Sequence, residues 1–199
     1  MNSLYLVRHG QSEWTRVGRI QGRTETPLTD VGREQARVLG CLLAQVLTDT
    51  TIPIVASPLS RALDTALIIA DVLGRPGSDV NVDGRLTDFD VGNLAGSKGW
   101  DAVAAEDPEL ARLRLEDPLR FHPSGGESGA DALARAGDFL VDCENRREDL
   151  LVVSHGVTTK FIRAARFGFK GADIIAQGEA QDCVYQLRGL EVIEHQAES

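Results

Sequence analysis

Three short apolar runs, each followed by a change to helical spacing, constrain the fold of this chain most strongly. The runs cover residues 4–7, 52–56 and 150–153. After the second run, apolar side chains recur three or four positions apart, at Ala62, Ala66, Ile69 and Leu73. A continuous apolar run that leads into a helix is typical of a strand buried on both faces of a parallel sheet. The pattern predicts an α/β protein, a three-layer α/β/α sandwich around a mostly parallel central sheet.

Two regions depart from this alternation. Residues 184–187 and 190–194 alternate in polarity around Arg188-Gly189, which predicts a C-terminal β-hairpin with a two-residue turn. Residues 92–129 carry three prolines among short helical pieces, and we interpret them as an irregular lid or rim insert. The 199 residues are 42% hydrophobic, which is enough to bury a core. Residues 1–199 are therefore predicted to form a single domain.

A basic residue follows each of the three predicted strands. Arg8 and His9 end the first strand. Arg61 lies shortly after the second, and His155 ends the third. Ligands of open α/β sheets bind at the carboxyl ends of the strands, so these side chains are expected around one ligand. Because a cluster of cations repels itself unless an anion lies within it, the ligand is expected to be a small anion.

The residues before Arg61 have the composition of a helix start. Ser57 is expected as the N-cap and Pro58 as the first helical residue. This interpretation puts Arg61 in the first turn of the helix, where the helix dipole disfavours a cation. A residue that breaks a local rule is expected to have a functional reason.

These residues also belong to an ordered set of motifs. The set comprises LVRHGQSEW at 6–14, SPLSRA at 57–62, RLTD at 85–88, GGES at 125–128 and VSHG at 153–156. In this order the motifs resemble those of the histidine phosphatase superfamily, also called phosphoglycerate mutase-like, over roughly residues 4–160. The resemblance implies the fold of that family and hydrolysis of a phosphomonoester through a phosphohistidine intermediate. It implies no metal and no other cofactor.

The resemblance also assigns a role to each basic residue. Arg8 and Arg61 would hold the phosphoryl group, because a guanidinium binds phosphate bidentately and stays protonated. His9 would be the nucleophile. Its arginine neighbours would lower its pKa from the ordinary value of about 6.5, which keeps the imidazole neutral for attack. His155 corresponds to the second histidine of the family, which hydrogen-bonds the phosphoryl oxygens.

The proton donor for the leaving group is the point at which this chain departs from the commonest family pattern. Asp88 stands where many members have Glu. We predict that Asp88 is the general acid and then the general base for water, since a carboxyl group that faces a phosphate dianion has a raised pKa. Two alternatives stay open: Asp90 donates the proton, or a water molecule relays it.

Further residues are expected on the phosphate or substrate side. They are Thr15, Gln21 and Gly156. Thr15 stands where phosphoglycerate mutases have Asn, and its hydroxyl has a shorter reach than an amide. Glu127 and Ser128 either face the substrate or begin the next helix, with Ser128 as its N-cap.

Three functions are compatible with these motifs, and hydrolysis of a small, anionic phosphorylated metabolite is favoured. A phosphoglycerate mutase is the first alternative, although this chain lacks the Asn of the mutases and is shorter than they usually are. A non-catalytic protein that binds a phosphorylated ligand is the second alternative. A metal-dependent phosphatase has no support, because no Asp and His residues cluster at ligand spacing.

Composition excludes some classes of binding partner. A net charge of −9 argues against nucleic acid, which demands a basic face. No apolar stretch approaches the length of a membrane span and the first residues do not read as a signal peptide, so we expect a cytoplasmic protein without a membrane partner. Cys41, Cys143 and Cys183 are expected to be free thiols. The C-terminal hairpin could pair across a homodimer or be covered.

Overall fold

A single mixed β-sheet forms the centre of the molecule. The computed structural model describes residues 2–146 and 148–197. The strands are β1 (Leu4–Arg8), β2 (Ile54–Ala56), β3 (Val80–Val82), β4 (Leu150–Ser154), β5 (Cys183–Arg188) and β6 (Glu191–Gln196). Within the described residues their order is β3-β2-β4-β1-β5-β6. The first four strands run parallel, and β5 and β6 are antiparallel. The predicted α/β class, the mostly parallel sheet and the C-terminal hairpin are confirmed.

Helices cover both faces of this sheet. They are α1 (Glu13–Arg16), α2 (Asp30–Val46), α3 (Ser60–Val72), α4 (Gly99–Glu106), α5 (Pro108–Glu116), α6 (Gly129–Asn145), α7 (Gly156–Phe167) and α8 (Asp173–Ala176). None of the helices in the described residues is both long and apolar enough to cross a membrane. Segment 92–129 contains α4 and α5, which pack against each other.

The alternation of side chains along β1 shows how the layers are held together. Leu4 and Leu6 point to one face and pack with the apolar sides of α6 and α7, whereas Tyr5 and Val7 point to the other and pack with α2 and α3. Leu6 and Val7 are fully buried. Because successive residues of a strand face opposite sides, a strand that is apolar at every position needs helices on both faces. This is the predicted three-layer sandwich.

The start of α3 differs from the prediction. The helix begins at Ser60, with Leu59 at the N-cap position and no side-chain cap, so Ser57 as N-cap was wrong. The cause is that the backbone N–H of Ser57 still donates to the carbonyl of Val153 in the neighbouring strand, at 3.0 Å. Ser57 therefore continues the sheet pairing, and the first helical N–H groups donate to the carbonyl of Leu59, two residues later. Arg61 does lie in the first turn of α3.

The C-terminal turn is shifted by one residue from the prediction. Arg188 pairs with Glu191 in the ladder between β5 and β6, so the turn consists of Gly189 and Leu190 rather than Arg188 and Gly189. Gly189 has φ of +60°, a conformation that glycine adopts without steric cost. Leu190 is 91% exposed, and its apolar side chain made the strand pattern seem to begin one residue early.

Candidate active site

Two neighbouring parallel strands bring the two histidines together. Arg8 pairs with Ser154 in the register between β1 and β4, so the residues that follow the two strands emerge side by side. The backbone N–H of His9 donates to the carbonyl of Ser154 at 2.9 Å. The rings of His9 and His155 lie edge to face with their centroids 5.1 Å apart. Both side chains are buried, as the strand-exit argument requires.

Arg61 is the largest fully buried side chain in this region, with 0% exposure. Its two terminal nitrogens donate to the carbonyl oxygens of Gly22 (2.7 Å) and Thr24 (2.9 Å). Its Nε–H donates to Nε2 of His9 at 3.3 Å. The loop after α1 thus fixes the plane of the guanidinium against the imidazole.

The hydrogen bonds of His9 define its tautomer. Nδ1 lies 2.7 Å from the carbonyl oxygen of Gly10, and because a carbonyl only accepts, Nδ1 carries the proton. Nε2 then has the free lone pair that accepts from Arg61. The pKa of His9 lies well below its ordinary value, first because the ring is buried and then because Arg61 and Arg8 are close. The imidazole is neutral, as predicted, with burial rather than the arginines as the main cause.

His155 is held through its other ring nitrogen, Nε2. Ser57 Oγ accepts from the N–H of Leu59 at 3.3 Å and lies 2.8 Å from Nε2 of His155. We assign the proton of His155 to Nδ1, because the Ser57 hydroxyl can then donate to Nε2. That Nδ1 is buried and has no hydrogen-bond partner among residues 2–146 and 148–197. Burial, followed by the neighbouring His9, holds the pKa of His155 well below its ordinary value.

Asp88 is the carboxyl group of this cluster. Its Oδ2 lies 3.2 Å from the Arg61 guanidinium and 3.7 Å from Nδ1 of His155. Its Oδ1 accepts from the backbone N–H of Phe89. Burial raises the pKa of Asp88, and this effect outweighs the opposing influence of Arg61.

Asp90 lies elsewhere, although it is only two residues away. Its carboxylate is 3.5 Å from Arg23 and accepts from the backbone N–H of Gly92. Glu127 joins the same surface cluster, where it pairs with Arg23 at 3.2 Å and with Arg135 at 2.6 Å. Neither carboxylate lines the cavity beside Asp88. Glu127 and Ser128 were expected either to face the substrate or to begin the next helix. In the structure they begin the helix, with Ser128 as the N-cap of α6.

A cavity of about 170 Å³ opens in front of these residues. Its inner end is formed by Arg8, His9, Asp88 and Gly156. Gly156 is the first residue of α7, and the Glu179 carboxylate and the Arg8 guanidinium lie close to its Cα, so a larger residue there would displace the Glu179 side chain. Arg61 and His155 lie immediately behind this lining and complete the cluster.

Gln21 and Thr15 also line the cavity, but they differ in what they can donate. The carbonyl oxygen of Gln21 accepts from Ser12 at 2.7 Å and from Thr26, which orients the amide N–H₂ away from these hydroxyls. The hydroxyl of Thr15 donates to the carbonyl of Ser12, at 3.0 Å, in the capping box of α1. Gln21 is therefore the better placed of the two for an anion.

Two further lining residues, Glu179 and Arg114, could not be recognised from the sequence. Glu179 lies between α8 and β5, where its backbone carbonyl accepts from Arg8 at 2.7 Å. Its carboxylate lies 3.3 Å from the buried Lys160 and 4.0 Å from Arg8. Trp100 and Arg114 of the 92–129 segment form part of the outer wall. Residues 2–146 and 148–197 contain no group of three or more His, Cys, Asp or Glu side chains that could hold a metal ion.

A family model described as the histidine phosphatase superfamily, branch 1, matches residues 4–188. The chain belongs to this superfamily. The match covers each strand exit described above and includes Arg8, His9, Arg61 and His155. The resemblance based on the motifs is thereby confirmed.

Named members of the superfamily resemble this chain over most of its length. A glucosyl-3-phosphoglycerate phosphatase from Mycolicibacterium vanbaalenii is 34% identical over 174 residues, which are 83% of this chain and 74% of the relative. A probable phosphoglycerate mutase GpmB from Enterobacter sp. (strain 638) is 35% identical over 159 residues, 79% of this chain and 71% of the relative. A solved structure of mycobacterial glucosyl-3-phosphoglycerate phosphatase in complex with VO3 has a TM-score of 0.79 and 29% identity, and covers 98% of this chain and 97% of its own.

Proposed function

We propose that this histidine phosphatase hydrolyses a small phosphomonoester through a phosphohistidine formed on His9. The observation that carries the proposal is the tautomer of that residue. Nδ1 donates to Gly10 and leaves the Nε2 lone pair beside Arg61. A nucleophile must be unprotonated and placed among groups that stabilise the charge of the transferred phosphoryl group.

In the first step, Nε2 of His9 attacks phosphorus and the bond from phosphorus to the ester oxygen breaks. Arg61 transfers its Nε–H bond from His9 to a phosphoryl oxygen, and Arg8 neutralises a second oxygen. The leaving alkoxide takes a proton from Asp88, whose raised pKa favours the protonated carboxyl group. We assign this role to Asp88 rather than Asp90 because Asp88 lines the cavity and Asp90 does not.

In the second step, a water molecule attacks the phosphohistidine. Asp88, now a carboxylate, takes a proton from that water, the N–P bond breaks and inorganic phosphate is released. His155 supports both steps, because its unpartnered Nδ1–H is a donor for a phosphoryl oxygen. We also assign three residues to the binding of the phosphate: Gln21, Thr15 and Gly156, the first residue of α7.

A mutase is the second candidate, and the similarity to the Enterobacter relative favours it. The two reactions share the first step and differ in the acceptor of the phosphoryl group, which is water in one case and a second substrate oxygen in the other. Release of inorganic phosphate, measured against isomerisation of 3-phosphoglycerate, separates them. We propose that phosphate release dominates.

Other expectations stay predictions: the cytoplasmic location, the homodimer through the C-terminal hairpin and the lack of a nucleic-acid partner. We also propose that segment 92–129 acts as a rim, since Trp100, Arg114, Pro118 and Phe121 of this segment line the cavity.

The test is a screen for phosphate release from phosphorylated metabolites, including glucosyl-3-phosphoglycerate. We expect turnover of at least one of them, and a His9→Ala variant is expected to lose it. His122→Ala is the matched control, because His122 is exposed and lies outside the cavity. Full activity of the His9→Ala variant would overturn the proposal.

A further inference from the structure

The outer wall of the cavity combines aromatic rings with one guanidinium. The Cζ atom of Arg114 lies 3.9 Å from the ring centroid of Trp100, and Trp100 packs edge to face on Phe121 at 5.9 Å. Arg114 is half-buried and lines the same cavity as His9. Stacking on a tryptophan fixes the plane of a guanidinium but uses none of its N–H donors.

Those donors have no partner in the part of the chain that the structure describes. Among residues 2–146 and 148–197, no side chain or carbonyl hydrogen-bonds the Arg114 guanidinium and no carboxylate oxygen lies within 4.0 Å of it. Arg112, two residues earlier on α5, shows the contrast, because it pairs with Glu109 at 2.8 Å and Glu116 at 2.6 Å. The helix supplies counter-charges to its exposed arginine and none to the arginine at the cavity.

The charges around the cavity do not compensate Arg114 either. Burial lowers its pKa, and the charge that opposes this effect is Glu179. The Glu179 carboxylate already lies between Lys160 and Arg8, at 3.3 Å and 4.0 Å. The Glu179 carboxylate is therefore shared among three cations, Lys160, Arg8 and Arg114, and an anion is the group that would restore the balance.

We propose that Arg114, stacked on Trp100, is a second anion subsite that selects phosphomonoesters with a carboxylate on the organic part. The inference rests on the proposed function, because it assigns the phosphate to Arg8 and Arg61. One planar guanidinium matches the two oxygens of one carboxylate. The surrounding wall of Phe89, Phe121 and Phe161 suits a compact carbon skeleton between the two anionic groups.

The first experiment measures binding alone. Isothermal titration calorimetry compares phenylphosphonate with 2-, 3- and 4-phosphonobenzoate, which add one carboxylate and contain no hydrolysable P–O ester bond. We expect at least one phosphonobenzoate to bind about 10- to 100-fold more tightly, the range of a hydrogen bond to a charged group. Arg114→Gln should remove that advantage and leave phenylphosphonate binding within twofold, and Arg112→Gln should change neither.

The second experiment measures turnover of O-phosphoserine against O-phosphoethanolamine, which differ by one carboxylate. In the Arg114→Gln variant we expect KM for phosphoserine to rise and kcat to stay within about twofold, because a remote carboxylate binds equally in the ground and transition states. Arg114→Lys should retain part of the preference, since it keeps the charge but loses the planar fork.

The outcomes separate the two proposals. Tighter binding of a phosphonobenzoate that depends on Arg114, without hydrolysis of any phosphomonoester, would contradict the proposed function and keep the subsite. Hydrolysis without preference for a carboxylate in either experiment would overturn the subsite and keep the function. If Arg114→Gln does not fold, competitive inhibition of wild-type turnover decides: 4-hydroxybenzoate should inhibit more strongly than phenol, and equal inhibition would overturn the subsite.

Discussion

The inner and outer ends of the cavity are built in different ways. At the inner end, Arg61 is fully buried and both histidines have their orientation fixed by hydrogen bonds. At the outer end, Arg114 is placed by stacking on Trp100, and its donors have no partner among residues 2–146 and 148–197. A group that all substrates share can therefore be bound by side chains whose positions are fixed in advance. A group that distinguishes substrates needs hydrogen-bond donors that stay unpaired until the substrate binds.

Replacement of Arg61 should give the largest effect at the inner end. Arg61→Met removes the donors to the phosphoryl group and leaves the carbonyls of Gly22 and Thr24 without their partner. We expect kcat/KM to fall about 10³-fold for every phosphomonoester, on the scale of a lost preorganised donor. Arg33→Met, which removes a cation that pairs with Asp64 at the surface, is the control. A fall in kcat/KM that differs between substrates would contradict a role of Arg61 common to all of them.

Asp88→Asn should have the next largest effect. A lost general acid costs about 10²-fold or more, and it matters most when the leaving group is a poor one. We expect a large fall in kcat for alkyl phosphates and a smaller one for 4-nitrophenyl phosphate. Asp90→Asn is the matched control and should stay near wild type. Equal losses for the two substrate types, or a larger loss in Asp90→Asn, would assign the proton to another group.

Stability should fall as the pH drops below the ordinary pKa of histidine. His9 and His155 have folded-state pKa values well below 6.5. The unfolded chain therefore binds more protons than the folded one below about pH 6.5, and folding stability decreases as the pH falls through this range. Each histidine contributes up to about 1.4 kcal/mol per pH unit.

Urea unfolding between pH 7 and pH 5 measures this dependence. His155→Gln should reduce the slope of the unfolding free energy against pH, while His122→Gln, outside the cluster, should leave the slope unchanged. An unchanged slope in His155→Gln would mean that the inner end does not hold this ring neutral.

Ser57→Ala should give the smallest of these effects. It removes the hydroxyl that fixes the tautomer of His155, and a neutral hydrogen bond of this kind is worth about 3- to 10-fold in kcat. The fall in kcat should be the same for carboxylated and uncarboxylated substrates, whereas replacement of Arg114 should affect only the carboxylated ones. Assay of the phosphoserine and phosphoethanolamine pair checks it, and a selective loss for phosphoserine would contradict it.

Much of the inner end could be predicted because strand exits are local features of a sequence. Arg8, His9 and His155 follow apolar runs, and parallel neighbours bring such exits together. Ser57 misled the helix prediction because strand pairing with Val153 overrode a favourable capping pattern. The choice between Asp88 and Asp90 depended on a loop conformation that the residue types do not specify.

At the outer end, the sequence indicated segment 92–129 as a rim but did not indicate Arg114 or Glu179. Arg114 lies on a helix whose spacing does not distinguish it from the surface arginine Arg112, and only packing on Trp100 sets it apart. Glu179 stands in an irregular polar segment and reaches the cavity because the chain between α8 and β5 folds over Arg8. The contact between Arg8 and Glu179 joins residues 171 positions apart, and no local periodicity encodes it.

Trapping the covalent intermediate tests directly whether His9 carries the phosphoryl group. The enzyme is mixed for milliseconds with a ³²P-labelled phosphomonoester, quenched in base and digested, and the labelled peptide is sequenced by mass spectrometry. We expect an acid-labile, base-stable label on His9, bound through Nε2, that is retained in His122→Ala and absent in His9→Ala. A label on another residue, or rapid turnover with no labelled protein at any mixing time, would contradict it.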